Sequence, residues 1–265
     1  MKFTKMHGLG NDYLYVYSTE EPKNPEELSI KLSERHFGAG SDGMIWILPS
    51  KTADFKMRIF NADGSEAMMC GNGIRCVGKY VYDKGYTDKT EITVETLSGI
   101  KILKLNVENG RVSSVRVDMG KAVVGKKNKI EVLGETVEYV PVSMGNPHAV
   151  VFVENAENAP LTTTGSAMER HDAFPGGVNV EFVSVINKNK IRMRVWERGS
   201  GITMACGTGA CASVSAAVSL GFCPADEDVE VVLDGGSLFI SVSSDYSVTM
   251  TGPAAMIYEG ETVDD

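Results

Sequence analysis

The chain repeats itself once, and that repeat limits the folds open to it more than any other feature. Residues 55–73, FKMRIFNADGSEAMMCGNG, align without a gap to residues 191–209, IRMRVWERGSGITMACGTG, at an offset of 136. Met57/Met193, Arg58/Arg194, Met68/Met204, Cys70/Cys206, Gly71/Gly207 and Gly73/Gly209 are identical pairs, and Ile59/Val195 and Phe60/Trp196 are conservative ones. At an offset of 135, GLGNDYLYVY (8–17) meets SMGNPHAVVF (143–152), bringing Gly10-Asn11 onto Gly145-Asn146, while Gly85 pairs with Gly221 at 136. Solenoid repeats recur every 20 to about 50 residues. A period of half the chain instead predicts two copies of one domain related by a pseudo-two-fold axis.

Each half reads as strands followed by a helix. Asn11–Tyr17 and Pro147–Val153, Met44–Leu48 and Val180–Ile186, and Phe55–Phe60 and Ile191–Trp196 have the β-rich or alternating character of strands. After each Cys a helix is expected. In the first half Ile74, Val77 and Val81 recur at helical spacing, and Gly85 supplies the left-handed residue that ends a helix. Asn24-Pro25 before EELSIKLSER predicts a separate capped, amphipathic surface helix. Val-rich runs with Asp-Gly and Asn-Gly turns fill the rest, so the fold class is mixed α/β with more sheet than helix.

Charge and cysteine usage narrow the function. Twenty-six Lys plus Arg against 35 Asp plus Glu give a formal charge of −9, which disfavours nucleic acid and anionic membrane surfaces as partners. MKFTKMH has no apolar signal core, so the expected compartment is the cytoplasm. Cys206–Cys223 is free of charge, but Ser, Thr and Gly fill nearly half of it, which suits a protein-buried helix rather than a membrane span. Five Cys do not suit a secreted disulfide framework. Zinc is disfavoured by the spacings, and no metal is expected. Gly38-Ala-Gly40-Ser-Asp-Gly43 matches a dinucleotide pattern, yet a helix precedes it and a strand follows, the reverse of the required order.

Cys70-Gly-Asn-Gly73 and Cys206-Gly-Thr-Gly209 each lead into a helix. Unpaired N–H groups and the positive end of the macrodipole favour a thiolate there, and glycines let the backbone approach a carboxylate closely. Two thiols on opposite faces of one carbon are what stereoinversion requires, one taking the α-proton and one returning a proton. A free Cys is more often a small buried hydrophobe, and that reading holds for Cys76, Cys211 and Cys223. No pyridoxal phosphate site is apparent, and no cofactor is expected.

HGLGNDY (7–13), RIFNADGSEAMMCGNGIRC (58–76), SMGNPHAV (143–150) and WERGSGITMACGTGAC (196–211) closely resemble the diaminopimelate epimerase family, in order along essentially the whole chain. The resemblance implies cofactor-independent interconversion of LL- and meso-2,6-diaminopimelate by a homodimer. It further implies two domains, each a β-barrel-like sheet wrapped around a central helix: 1–118 plus 254–265 carrying Cys70, and 119–253 carrying Cys206. By the same likeness Cys70 and Cys206 are the acid/base thiols, and backbone at Gly71, Asn72, Gly207 and Thr208 holds the reacting carboxylate. Arg198, helped by Asn61 and Asn179, would meet the distal carboxylate, and Asn11, Asn146 and Glu197 would complete the lining, Glu197 through its backbone carbonyl. His7 and His148 receive no proton-transfer role, since each can satisfy loop backbone. Where the family often has Gln near position 43, this chain has Ser41-Asp42-Gly43, which bears on how the site is lined.

Two alternatives stand beside this reading. A related two-thiol racemase of proline, hydroxyproline, histidine or lysine would share the Cys pair and differ in the distal pocket. A non-catalytic amino-acid-binding or thiol redox protein would keep the fold, although retention of both thiols disfavours it.

Overall fold

Strand formation follows the alternating and β-branched runs, and sheet outweighs helix throughout the chain. A computed structural model describes residues 1–263. They form two units, one of Met1–Val117 with the segment from Gly252 onward, the other of Asp118–Thr251.

In the first unit Lys2–Gly8 pairs antiparallel with Asn11–Tyr17, which runs parallel to Gly43–Leu48, itself antiparallel to Phe55–Asn61. Phe55–Asn61 then pairs parallel with Glu91–Thr96, followed by antiparallel Gly99–Glu108. The second unit repeats the succession. Glu135–Ser143 is antiparallel to Pro147–Phe152, which is parallel to Asn179–Asn187 and thence antiparallel to Lys190–Glu197. Lys190–Glu197 pairs parallel with Asp228–Leu233 and that strand antiparallel with Gly236–Val242. The sequence repeat is therefore a repeat of topology, with two pseudo-symmetric domains as expected.

Helices α1 (Pro25–Ser33) and α2 (Gly71–Asp83) belong to the first unit, and short α3 (Ser166–Glu169) and α4 (Gly207–Ser219) to the second. Ten of the thirteen residues of both α2 and α4 are buried, so each is the central helix of its sheet. The small side chains of α4 let strands approach on all sides. Its buried hydroxyls are met locally: Ser215 Oγ donates to the Cys211 carbonyl at 2.8 Å and Ser213 Oγ contacts Met193 Sδ at 3.2 Å. Left-handed Gly85 and Gly221, with φ of 76° and 74°, end the two helices as predicted.

The expected cap of α1 is not formed. Asn24 lies before Pro25 in the left-handed region and makes no side-chain cap; its amide donates to Glu27 Oε2 at 3.3 Å. A residue preceding proline is excluded from the α region, which leaves Asn one of the few side chains able to take this turn.

The first unit closes on a late segment. Lys2–Gly8 pairs antiparallel with Ala255–Glu261, and the guanidinium of fully buried Arg75 donates to the carbonyls of Pro253 (3.1 Å) and Gly71 (3.1 Å). That side chain fastens the first turn of α2 to the chain just ahead of the returning strand.

Gly43, the first residue of its strand, has no room for a side chain. A Cβ there would sit 2.2 Å from the Phe60 carbonyl oxygen and 2.9 Å from Asn61 Cα, both backbone atoms that cannot yield. Gly43→Ala is expected to destabilise the protein by about 2 kcal/mol or more, read as a fall in thermal unfolding midpoint; an unchanged midpoint would show that these strands separate freely.

Candidate active site

Both repeated cysteines are helix N-caps. Cys70 has extended backbone (φ −134°, ψ 116°) and its Sγ accepts from the Gly73 N–H at 3.3 Å. Cys206 does the same (φ −116°, ψ 111°), with Sγ accepting from Gly209 N–H at 3.3 Å. A thiol thus occupies the place that Ser or Asp usually takes, aimed at the positive end of the helix.

The surroundings of the two thiols differ. In the first unit the Cys70 thiol donates to Asn11 Oδ1 at 3.3 Å, and Asn11 Nδ2 donates to Asp42 Oδ2 at 2.9 Å. Asp42 also accepts the Asp12 N–H at 3.1 Å and pairs with Arg35 at 3.2 Å, so the Asn11 amide is held from behind. Tyr13 lies beside this group, and burial, reinforced by Cys70, pushes its phenol well above the ordinary range. Gly71 and Asn72 are buried at the α2 start. Asn61 is engaged in its own turn, Nδ2 donating to Ser65 Oγ at 3.1 Å, and no bond joins it to the Asn11–Cys70 group among those described.

In the second unit Cys206 is 5% exposed, and Thr208 Oγ1 lies 3.6 Å from its sulfur. Asn146 Nδ2 donates to Thr208 Oγ1 at 3.3 Å, and Asn146 Oδ1 faces His148 Nε2 at 3.1 Å. His148 Nδ1 lies 2.6 Å from Glu181 Oε1, both side chains without exposed surface. Burial, then the charges of Glu197 and Glu181, hold the Cys206 thiol well above its ordinary value. Glu197 is raised as well, chiefly by burial, while hydrogen bonds from Thr203 and Cys206 work the other way.

Two sequence expectations change here. The Glu197 carboxylate accepts from Cys206, while the Glu197 carbonyl, expected to face the distal ammonium, accepts Ser200 N–H at 3.1 Å. His7 does serve loop backbone, accepting from Gly10 N–H at 3.2 Å, but His148 sits inside the strand Pro147–Phe152 on a buried carboxylate.

Arg198 and Asn179 are brought together. Asn179 Oδ1 accepts the Arg198 backbone N–H at 3.0 Å and its Nδ2 donates to the Pro147 carbonyl at 3.0 Å. The exposed guanidinium of Arg198 donates to the Gly176 carbonyl at 3.0 Å. Glu169 braces this loop, accepting from Trp196 Nε1 at 2.6 Å and Gly199 N–H at 2.8 Å. Glu169 and Glu181 were not singled out from sequence, and Asp42 only as part of Ser41-Asp42-Gly43. The legible signal was Glu181, a carboxylate inside the apolar run VNVEFV at the place of Ile45 in the other half.

The remaining cysteines are buried, burial raises Cys76 and Cys223 to about 11, and neither caps a helix start. Among the described residues no cluster of His, Cys, Asp and Glu forms a metal-binding group, and no helix is long and apolar enough to cross a membrane.

The sequence profile of the family described as diaminopimelate epimerase matches residues 3–125 and 140–257. The chain is 52% identical to the diaminopimelate epimerase of Methanococcus maripaludis strain S2, over 98% of this chain and 99% of that one. It is 51% identical to that of Acetivibrio thermocellus, over 98% of each. A probable proline racemase from Agrobacterium radiobacter K84 shares the fold, with a TM-score of 0.76 and 18% identity, covering 100% of this chain and 93% of that one. With a family match over most of its length and half of its residues shared with these relatives, the chain belongs to the diaminopimelate epimerase family.

Proposed function

We propose that this protein interconverts LL- and meso-2,6-diaminopimelate without a cofactor, using Cys70 and Cys206 as its two acid/base groups. The observation that carries the reading is the duplicated thiol cap at two helix starts in a chain half identical to diaminopimelate epimerases. One thiolate takes the α-proton, leaving a carbanion next to the carboxylate; the other thiol delivers its proton to the opposite face and becomes the thiolate. Helix-start N–H groups at Gly71, Asn72, Gly207 and Thr208 hold the reacting carboxylate and stabilise the charge that develops on it. Asn11 and Asn146 line the site beside the two thiols.

At the far end of the substrate, Arg198 supplies a charge-assisted pair to the second carboxylate. Asn179 supports it by fixing its backbone, and Asn61 would have to leave Ser65 to join them. Glu197 acts beside Cys206, where a half-buried carboxylate favours the protonated thiol, so Cys206 is the acid at rest. Assembly as a homodimer and a cytoplasmic location belong to the same reading and rest on the family resemblance.

The test is reduced protein with LL-diaminopimelate in D₂O, with chelator and no added cofactor. Deuterium at the α-carbon together with the meso isomer is expected; exchange with proline or lysine but not diaminopimelate would overturn the substrate. Cys70→Ser and Cys206→Ser should each lower kcat by about 10³-fold or more with the fold intact, checked by circular dichroism. Peptide-resolved alkylation should give Cys206 a pH midpoint above that of an ordinary thiol. Glu197→Gln should move it to lower pH, and an unmoved midpoint would mean that the Glu197 charge does not reach the sulfur.

A further inference from the structure

Ile45 and Glu181 occupy equivalent points in the two halves: Tyr15 is in register with Ile45, and Val150 with Glu181. Each lies against the third residue of its central helix. A Cβ on Gly73 would meet Ile45 Cδ1 at 2.6 Å, and one on Gly209 would meet Glu181 Oε1 at 2.8 Å. An aliphatic side chain therefore satisfies the packing. Glu181 brings instead a carboxylate without exposed surface, whose Oε2 accepts no hydrogen bond among the described residues. An unmet buried carboxylate oxygen costs free energy, so packing does not account for this residue.

Its other oxygen engages His148 Nδ1 at 2.6 Å. The carboxylate oxygen accepts from Nδ1, and on the far side of the ring Nε2 faces Asn146 Oδ1, an atom that can only accept, so both ring nitrogens carry protons. That bond fixes the Asn146 amide with its NH₂ group toward Thr208 Oγ1, which lies beside Cys206. In the first unit Asp42 takes the NH₂ group of Asn11 and leaves its oxygen facing Cys70.

We propose that Glu181 is a positioning residue: through His148 it turns the Asn146 amide NH₂ toward the Cys206 helix start, the reverse of the orientation that Asp42 imposes on Asn11. The two thiols are thereby chemically inequivalent despite their duplicated motif. The kinetic part of this inference rests on the epimerase reading.

The experiment is ¹⁵N spectroscopy of the substrate-free protein labelled at histidine, with His148 assigned by loss of its signals in His148→Gln. The native ring should show a protonated Nε2; a bare Nε2 overturns the proposal. Glu181→Ile, which installs the residue of the first half, should mix the His148 tautomers. At an unchanged thermal midpoint it should lower kcat by about 10- to 100-fold with KM moved less than about threefold. Glu181→Gln, whose amide can still meet Nδ1, should recover most of that loss. A folded Glu181→Ile with the native His148 spectrum overturns the proposal whatever its kcat. Should that variant not fold, Nε2 protonated in both native and Glu181→Gln protein supports the proposal, and bare in either overturns it. A native chain inactive on diaminopimelate defeats the epimerase reading alone, because the spectrum needs no substrate.

Discussion

The chemistry proposed for this chain hangs on a thiol placed as the N-cap of a buried helix. Capping satisfies one of the helix's free N–H groups, and the bond from Gly73 or Gly209 holds the sulfur at the end of the helix axis. Because α2 and α4 are each surrounded by their own sheet, neither helix start can drift without disturbing a packed core. The fold buries the helix body and spends its precision on the first turn.

Duplication supplied two such helix starts, and the side chains around them have since diverged. Arg75, fully buried in α2, corresponds to Cys211 in α4, so only the first unit has a cation one turn into its central helix. Only the second has buried Glu181 and half-buried Glu197 near its thiol. Identical Cys-Gly-x-Gly loops therefore sit in unlike electrostatic surroundings. An enzyme that moves a proton from one face of a carbon to the other benefits from that difference, since two groups with unequal proton affinities settle into one charged and one neutral form.

Most of the fold was legible because the repeat could be checked against itself. Phe55–Asn61 and Lys190–Glu197 alternate, their glycine stops coincide, and both precede a Cys, so each half corroborates the other. The α1 cap was misread because Asn24 answers to the proline after it rather than to the helix. At the site, Cys70 and Cys206 stand out locally. Asp42, Glu169 and Glu181 do not, since each acts on a residue distant in sequence: Asp42 on Asn11, Glu169 on Trp196 and Gly199, Glu181 on His148. Sequence periodicity reports burial, and a carboxylate that serves another side chain leaves no period.

The strand Ala255–Glu261 has a consequence for how the protein comes to be made. It completes the sheet of the first unit at Lys2–Gly8, yet the ribosome reaches it only after the whole second unit has been synthesised. Until then the edge of Lys2–Gly8 is open and the Arg75 guanidinium lacks the Pro253 carbonyl. Contacts separated by some 250 residues close slowly, and an open strand edge in the interval is a site for mispairing. The half of the molecule translated first is thus the half finished last, and its thiol comes into final position only when the late strand docks.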